Sequence, residues 1–408
     1  MKSHAATSLR WLDFPLATLR WLLRGERCLD DFRTAFAATL GVDPVRVHLF
    51  GSGRAALHAY VASLGLPAGS EVLLPGYTCV VVPQVFDNLG LTLRYVDIEP
   101  GGFNPGAAAI ADAIGPQTRL VLLPHNFGLC LQGIAGLRAR FPGVVFVEDA
   151  AHAWGSRSAE GRVAGTLGHA AFFSFEYSKP LSTGLGGALV VNDTAAWQPP
   201  AQHRPATSAV LRQALTLAWH RLVQTLPAPL LQAVKQLLRG PSRRLGVVAD
   251  TPQAELQGDV QPDYALALHP WSAALGAAQA QRAAEVWAAR RDQAGVYDRL
   301  LAALPPAQRP ARSAGDVLLR YPLRLPPGSD REALTLALAR EGVELGCWFD
   351  DVVHPHGSRR PGYRDGDCPV GEATAACIVN LPLGLHARLS RHQQQALQQA
   401  LASPEPRR

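Results

Sequence analysis

The chain is 408 residues long, 48% hydrophobic and 18% charged, and its 39 Lys and Arg exceed its 33 Asp and Glu by 6. That composition excludes a disordered chain, and that length exceeds what one hydrophobic core usually serves, so two domains, or one large domain with a smaller appendage, are expected. Six cysteines without a CxxC pair and no stretch resembling a secretory signal point to the reducing cytoplasm, and dispersed basic residues argue against a nucleic-acid partner.

In chain order, residues 8–24 (SLRWLDFPLATLRWLLR) place leucines near helical spacing, with Pro15 predicting one broken helix or two short ones. A helical stretch from Leu29 stops at Gly41, and Val45–Phe50 reads as a strand. The next run, GSGRAALHAYVASLG, is a glycine turn opening a helix with Ala56, Leu57, Tyr60, Val61 and Leu64 on one face. Strand, glycine turn and helix start together form an anion site, because the free N–H groups of a helix start point outward where its dipole is positive.

The alternation continues through EVLLPG, LTLRYVDI, a helix near Pro105–Ile114, RLVLLPHNFG, another helix and VVFVED. Apolar strands alternating with helices predict an α/β fold with a mostly parallel sheet covered on both faces. Ligands of such sheets sit beyond the strands' carboxyl ends, where Asp149 falls. After the strand ALVVND, residues 195–260 read as an insertion holding two helical segments, SAVLRQALTLAWHRLVQTL and PLLQAVKQLLRG, the first with an apolar stripe at Leu211, Leu215, Ala218, Leu222 and Leu226. One long Ala-rich helix is expected from Trp271 to Leu304, followed by a compact α/β module. The division is therefore an amphipathic segment over 1–27, a large domain over 28–270 carrying the insertion, and a linking helix with a small carboxyl-terminal domain over 271–408.

The glycine turn alone suits a dinucleotide poorly. Such a site wants an acidic residue at the end of the next strand, whereas Glu71 begins one. The stretch Val144–Gly187 discriminates better. A pyridinium-type electron sink needs a lysine for a Schiff base, an acid at the ring nitrogen and donors for a phosphate. Lys179, Asp149 and the set Gly51, Ser52, Gly53 and Ser174 can fill those places. The competing readings are a helix-capping Asp149 and a solvated loop Lys179. His354 and His356 form an HxH without a third ligand at suitable spacing, so no metal site is expected.

GSGRAAL, EVLLPGYT, YVDIEPGGFNP, VFVEDAAHAWG, FFSFEYSKPLSTGLGG, REALTLALAREGVELG and VNLPLG fall in the order that resembles the PLP-dependent sugar-nucleotide aminotransferases of the DegT/StrS family, over residues 28–192 and 262–402. The resemblance implies fold type I, a homodimer, pyridoxal 5'-phosphate as cofactor, and amino transfer from glutamate to a nucleotide-linked keto-sugar for a polysaccharide or glycoconjugate. It implies that Lys179 carries the cofactor and shuttles the proton, that Asp149 binds the pyridine nitrogen, and that His152 touches the ring. Ser174 and the turn Ser52-Gly53-Arg54 would hold the phosphate. Three departures stand out. Arg54 replaces a hydroxyl residue, Cys79 takes the place of a ring-stacking aromatic with Tyr77 nearby, and the Asn-Tyr-Arg segment by which a neighbouring subunit reaches the phosphate is not recognisable in Asp263–His269. Arg54, able to grip phosphate bidentately, is expected to replace that partner contact.

Two alternatives accompany this expectation: a PLP-dependent sugar dehydratase, against which Lys179 argues, and a non-catalytic PLP-binding regulatory or scaffold protein. The basic amphipathic segments 8–24 and 205–240 are of a kind that can lie on the inner membrane face; packing on each other or across a dimer interface is the competing, favoured expectation.

Overall fold

The computed structural model describes residues 8–193, 196–225, 253–259 and 261–402. Its strands are β1 (Val47–Phe50), β2 (Glu71–Pro75), β3 (Thr78–Cys79), β4 (Thr92–Val96), β5 (Thr118–Pro124), β6 (Val145–Asp149), β7 (Ala170–Ser174), β8 (Gly187–Val191), β9 (Tyr321–Arg324), β10 (Val353–His354) and β11 (Ile378–Leu381). Seven of them form one sheet in the order β1-β8-β7-β6-β5-β2-β4. The five from β7 to β4 run parallel, while β8 is antiparallel to both its neighbours.

Why the sheet is covered on both faces follows from period-2 alternation along its apolar strands. On β5, Leu120 and Leu122 face the core built with the helix Gly53–Ser63, whereas Val121 and Leu123 face the one built with Ile110, Ile134 and Leu137. On β6 the same alternation sends Val147 to the first face and Phe146 to the second. Asp149, two residues beyond Val147, therefore projects on the side of the Gly53–Ser63 helix, and Glu148 on the other.

β9 and β11 pair antiparallel over a separate apolar cluster that includes Tyr297, Tyr321, Leu338 and Leu397. β10 instead pairs in parallel with β3, setting His354 opposite Cys79. That short ladder brings the Trp348–His354 segment up to the ends of the large sheet.

Three local expectations need correction. Residues Asp13–Arg24 form one helix, because Pro15 lies in its first turn, where the missing N–H has no helical partner to lose. The long Ala-rich helix is two, Pro270–Ala280 and Ala283–Leu300. At the break, Arg282 Nη1 donates to Asp13 Oδ1 (2.8 Å) and Nη2 to the Ser8 carbonyl (3.0 Å), so a tertiary contact with the amino-terminal segment overrides propensity. The helix Thr207–Thr225 exists, but it buries Val210 and Leu217 and leaves Leu211 and Leu215 exposed, so the stripe faces another way than expected. Leu226 and the segment PLLQAVKQLLRG lie outside the described residues.

Candidate active site

The end of β6 is fixed from beneath. Glu148 is fully buried, and its carboxylate accepts hydrogen bonds from the N–H groups of Gly165 (2.7 Å), Leu167 (2.6 Å) and Gly168 (2.6 Å) and from His125 Nε2 (2.8 Å). Burial opposes a charge on that imidazole, while Cys130 and Glu148 favour one. The Leu131 N–H decides the matter: it donates to Nδ1 (3.0 Å), which leaves that nitrogen no proton and Nε2 the donor. A buried carboxylate with four donors is a rigid anchor, and Asp149 is the next residue along.

Asp149 stands beside Phe172 of β7 and Pro124 of β5. Its Oδ1 accepts from the Ala151 N–H (3.0 Å), which resembles a cap, yet a turn and not a helix follows, and Oδ2 is left for another partner. Burial pushes this carboxyl up, against the Ala151 N–H and the nearby Lys179, which hold it down.

Lys179 lies in the loop between β7 and β8 and is only 8% exposed, so it is not a solvated loop lysine. Burial lowers its proton affinity foremost, with Arg320 adding to the effect and Glu176, Cys79 and Asp149 opposing it. Its Nζ is 5.3 Å from the centroid of the Trp348 ring. His152 is buried, accepts the Phe127 N–H at Nδ1 (3.2 Å), and lies nearly parallel to Phe349 (5.8 Å, 23°) and Trp348 (6.3 Å, 26°). Burial, then Lys179, Arg320 and His354, push it well below its ordinary range, so it is neutral and carries its proton on Nε2.

At the other end, Ser52 caps the helix Gly53–Ser63, its Oγ accepting from the Ala55 N–H (3.2 Å). Gly51 donates its N–H to the Leu266 carbonyl (2.7 Å), the atom a Cβ would strike at 2.7 Å. A Cβ on Gly53 would come within 3.0 Å of the Phe173 carbonyl and 3.1 Å of Ser174 Cβ. The helix start is thus pressed against the end of β7, where Ser174 stands. Arg54 forms an ion pair with Glu255, from the segment read as an insertion, and burial lowers its proton affinity. The segment 261–269 serves its own chain: besides the Leu266 carbonyl, Tyr264 stacks on His58 (3.9 Å, 6°).

Asp149, Lys179, Cys79, His152 and Arg54 form one electrostatic neighbourhood, in which Cys79 feels Lys179, Asp149 and Arg54. Cys79 is half-buried. Tyr77 is placed differently, fully buried between Phe127 and Phe349, with its hydroxyl donating to the Phe349 carbonyl (2.9 Å) and accepting from its N–H (3.1 Å). It braces the wall of the site.

Sequence reasoning passed over Glu148, His125, Trp348, Arg320 and Glu255. The first two had a signal in the polar residues that end two apolar strands. Arg320 had one too, as a charge inside the run VLLRYPLRLP. Glu255 had none, since its partner is 201 residues away, the difference between 255 and 54. Chemically, the set offers an acid for a ring nitrogen, a buried amine for a carbonyl and a capped helix start for a phosphate, which fits pyridoxal phosphate.

Residues 16–214 and 243–402 match the DegT/DnrJ/EryC1/StrS aminotransferase family. The chain is 31% identical over 374 residues (90% of this chain, 86% of the relative) to dTDP-4-dehydro-2,3,6-trideoxy-D-glucose 4-aminotransferase of Saccharopolyspora spinosa. It is 32% identical over 174 residues (42% of this chain, 46% of the relative) to GDP-perosamine synthase of Caulobacter vibrioides. Among solved structures it resembles the aminotransferase TlmJ of Streptoalloteichus hindustanus, with a TM-score of 0.71 at 23% identity over 98% of this chain and 97% of that one.

Proposed function

Since the chain belongs to the DegT/DnrJ/EryC1/StrS aminotransferase family, and so to the pyridoxal-phosphate-dependent aminotransferases of fold type I, we propose that it moves an amino group from glutamate to the keto group of a nucleotide-linked sugar. The product would serve polysaccharide or glycoconjugate biosynthesis. A relative matched over 90% of this chain is named as a 4-aminotransferase of dTDP-4-dehydro-2,3,6-trideoxy-D-glucose. The observation that carries the reading is Lys179, an amine buried and held toward its neutral form beside a strand-end carboxylate.

Bound pyridoxal phosphate supplies an electron sink for the carbanion left when a proton departs the amino-bearing carbon. The protein's share is to hold and move protons. Lys179 Nζ, its proton affinity lowered foremost by burial, would take the proton from that carbon and return it to the carbon on the other side. With Oδ1 fixed by the Ala151 N–H, Asp149 Oδ2 would hold the ring nitrogen and favour its protonated state. Neutral His152 offers its face and Nε2–H without a second positive charge, which suits a ring already carrying one. Ser52, Gly53, Arg54 and Ser174 would receive the phosphate, and Gly51 allows the close approach of Leu266 that sets the helix start. Cys79, which feels Lys179, Asp149 and Arg54, would border the ring.

The test is to load the enzyme with the amine form of the cofactor and mix it with a panel of nucleotide-linked keto-sugars. Return of the cofactor's visible absorbance with one of them is expected. No return with any, while glutamate alone still bleaches enzyme carrying the aldehyde form of the cofactor, would overturn the acceptor assignment.

We also propose a cytoplasmic homodimer. Leu12, Leu16, Leu19, Leu22 and Leu23 leave a row of exposed leucines on the amino-terminal segment, enough to give a second subunit an apolar contact. Among the described residues no helix is long and apolar enough to cross a membrane. Sedimentation of the full chain reads the dimer, and flotation with anionic vesicles decides between subunit contact and a membrane surface.

A further inference from the structure

The loop that carries Lys179, residues 175–186, is tied across its own ends. The Phe175 N–H donates to the Gly186 carbonyl (2.8 Å), the Thr183 N–H to the Phe175 carbonyl (2.9 Å) and the Lys179 N–H to the Glu176 carbonyl (2.9 Å). Gln279 holds Ser182, accepting its N–H (3.1 Å) and donating to its carbonyl (2.6 Å). A second grip on the loop comes from the helix Thr207–Thr225.

Gln213, Leu217 and His220 stand at i, i+4 and i+7, on one face of that helix, and each meets the lysine loop. Gln213 Nε2 donates to the Thr183 carbonyl and lies 3.3 Å from the Leu185 carbonyl. Between those two carbonyls Gly184 adopts φ +87°, and a Cβ there would come within 2.6 Å of Gln213 Cγ and 3.1 Å of Leu217 Cδ1, so helix and loop backbone are in direct contact. Leu217 has no exposed surface and shares an apolar cluster with Phe175 and Leu181. His220 stacks on Tyr177 with ring centroids 4.4 Å apart and planes at 9°. The points held, Tyr177 on one side and residues 183–185 on the other, bracket Lys179.

What such a bracket governs follows from the lysine's form. Its amine ends a chain of four rotatable bonds, so the place of Nζ depends on where the loop backbone is held, and a displacement of about 1 Å at a reacting group can cost on the order of a hundredfold in rate. Burial is also the foremost cause of the lowered proton affinity of Lys179. The charged and titratable groups around Nζ come from other elements: Glu176 from its own loop, Cys79 from β3, Asp149 from β6, His152 from the turn after β6 and Arg320 from the residue before β9. The helix carries no Asp or Glu, and its ring neighbour to the loop is His220. Its influence on Lys179 is therefore through position and exclusion of water, not through a counter-charge. The family match stops at residue 214 and resumes at 243, so Leu217 and His220 lie in a stretch outside it.

We propose that the helix Thr207–Thr225 is a clamp on the lysine loop, in which Gln213 and His220 are positioning residues that keep Lys179 Nζ buried and in register with Asp149. The inference rests on the reading of Lys179 as the cofactor's lysine for its consequence, though not for the contact between helix and loop.

The experiment uses the full chain as wild type, Gln213→Leu, His220→Leu, His220→Phe and Lys179→Ala. Two quantities are read on the apoenzyme: amide hydrogen exchange over residues 178–186, and the pH midpoint of pyridoxal phosphate capture, followed by its visible absorbance. Gln213→Leu should speed exchange in the loop by about tenfold or more, because a held segment is released to open locally. It should also move the capture midpoint upward, by about one unit, since water reaching Nζ lets it hold its proton more tightly. His220→Leu should act in the same directions and less strongly, while His220→Phe, which keeps a flat ring on Tyr177, should restore wild-type values. Both His220 variants remove the same titratable group, so a difference between them reports the stack. Should Gln213→Leu fail to fold, the His220 pair carries the test. A folded Gln213→Leu with unchanged exchange and an unchanged midpoint overturns the clamp, even if its melting temperature falls, because packing alone lowers the melting temperature without moving either readout. Equal behaviour of His220→Leu and His220→Phe overturns the part given to the stack. A visible band in Lys179→Ala identical to that of wild type would sink the reading of Lys179 as the cofactor's lysine, and hydrogen exchange would still decide the clamp.

Discussion

The two ends of the site are built by different means. The proposed ring end hangs from the central sheet: Asp149 follows directly on Glu148, whose four donors fix the strand end, and both Lys179 and His152 lie beside the half-buried ring of Trp348. The proposed phosphate end is a loop construction in which a capped helix start leans on Leu266 and Ser174, and the cationic side chain of Arg54 is tied to Glu255 from a distant segment. Where chemistry needs a fixed angle, the chain uses strand ends with saturated hydrogen bonds. The helix start instead carries an ion pair for which a bound anion would compete.

The largest expected effects belong to the ring end. Lys179→Ala should lower turnover by roughly a thousand- to ten-thousand-fold through loss of the proton carrier, with the circular dichroism spectrum unchanged. Asp149→Asn should lower it by about a hundred- to a thousand-fold, the scale of one preorganised electrostatic partner. An Asp149→Asn enzyme that retains near-normal rates would remove the distinction between the two ends. Glu148→Gln tests the anchor itself. An amide offers one accepting oxygen and turns a donor toward groups that are already donors, so stability should fall by roughly 2–4 kcal/mol, read as a lower denaturation midpoint at unchanged slope.

How legible these features were in the sequence follows from the range of the forces involved. The parallel sheet and the positions of Asp149 and Lys179 were readable because strand periodicity and turn chemistry are local. The same holds for the helix start at Ser52. The break at Gln281–Arg282 was not, since Asp13 and Ser8 impose it from the far end of the chain. Arg320 passed as one charge in an apolar strand run, and only its burial against Trp348 distinguishes it from a solvated arginine. Tyr77 shows the opposite failure. Its place next to Cys79 was readable and its direction was not, because the Phe349 backbone that claims its hydroxyl is 272 residues away in the chain.

A smaller effect concerns pH. Lys179 is held below an ordinary lysine, so cofactor capture by the apoenzyme should rise with pH and level off earlier than for a free lysine, whose pKa is about 10.4. Glu176 is the leading group that raises this lysine's affinity for a proton. Glu176→Gln should therefore move the rise to lower pH, by about one unit or less. A profile that stays in place or moves upward would contradict the assignment of Glu176 as its counterweight.

The smallest effect is the most informative about the phosphate end. If Arg54 alternates between Glu255 and the cofactor's phosphate, Glu255→Gln frees it. Without cofactor that variant leaves a partly buried guanidinium uncompensated, so the apoenzyme should melt earlier, by the equivalent of roughly 1 kcal/mol. With cofactor the phosphate replaces the lost carboxylate, so the gap between apo and holo melting temperatures should widen. Arg54→Thr should do the reverse, narrowing the gap and weakening cofactor retention. A purely structural Arg54–Glu255 pair predicts something else: equal losses in the apo and holo forms of both variants. The sign of the change in the gap thus separates a phosphate ligand from a strut, at a position where the magnitude of either single loss would not.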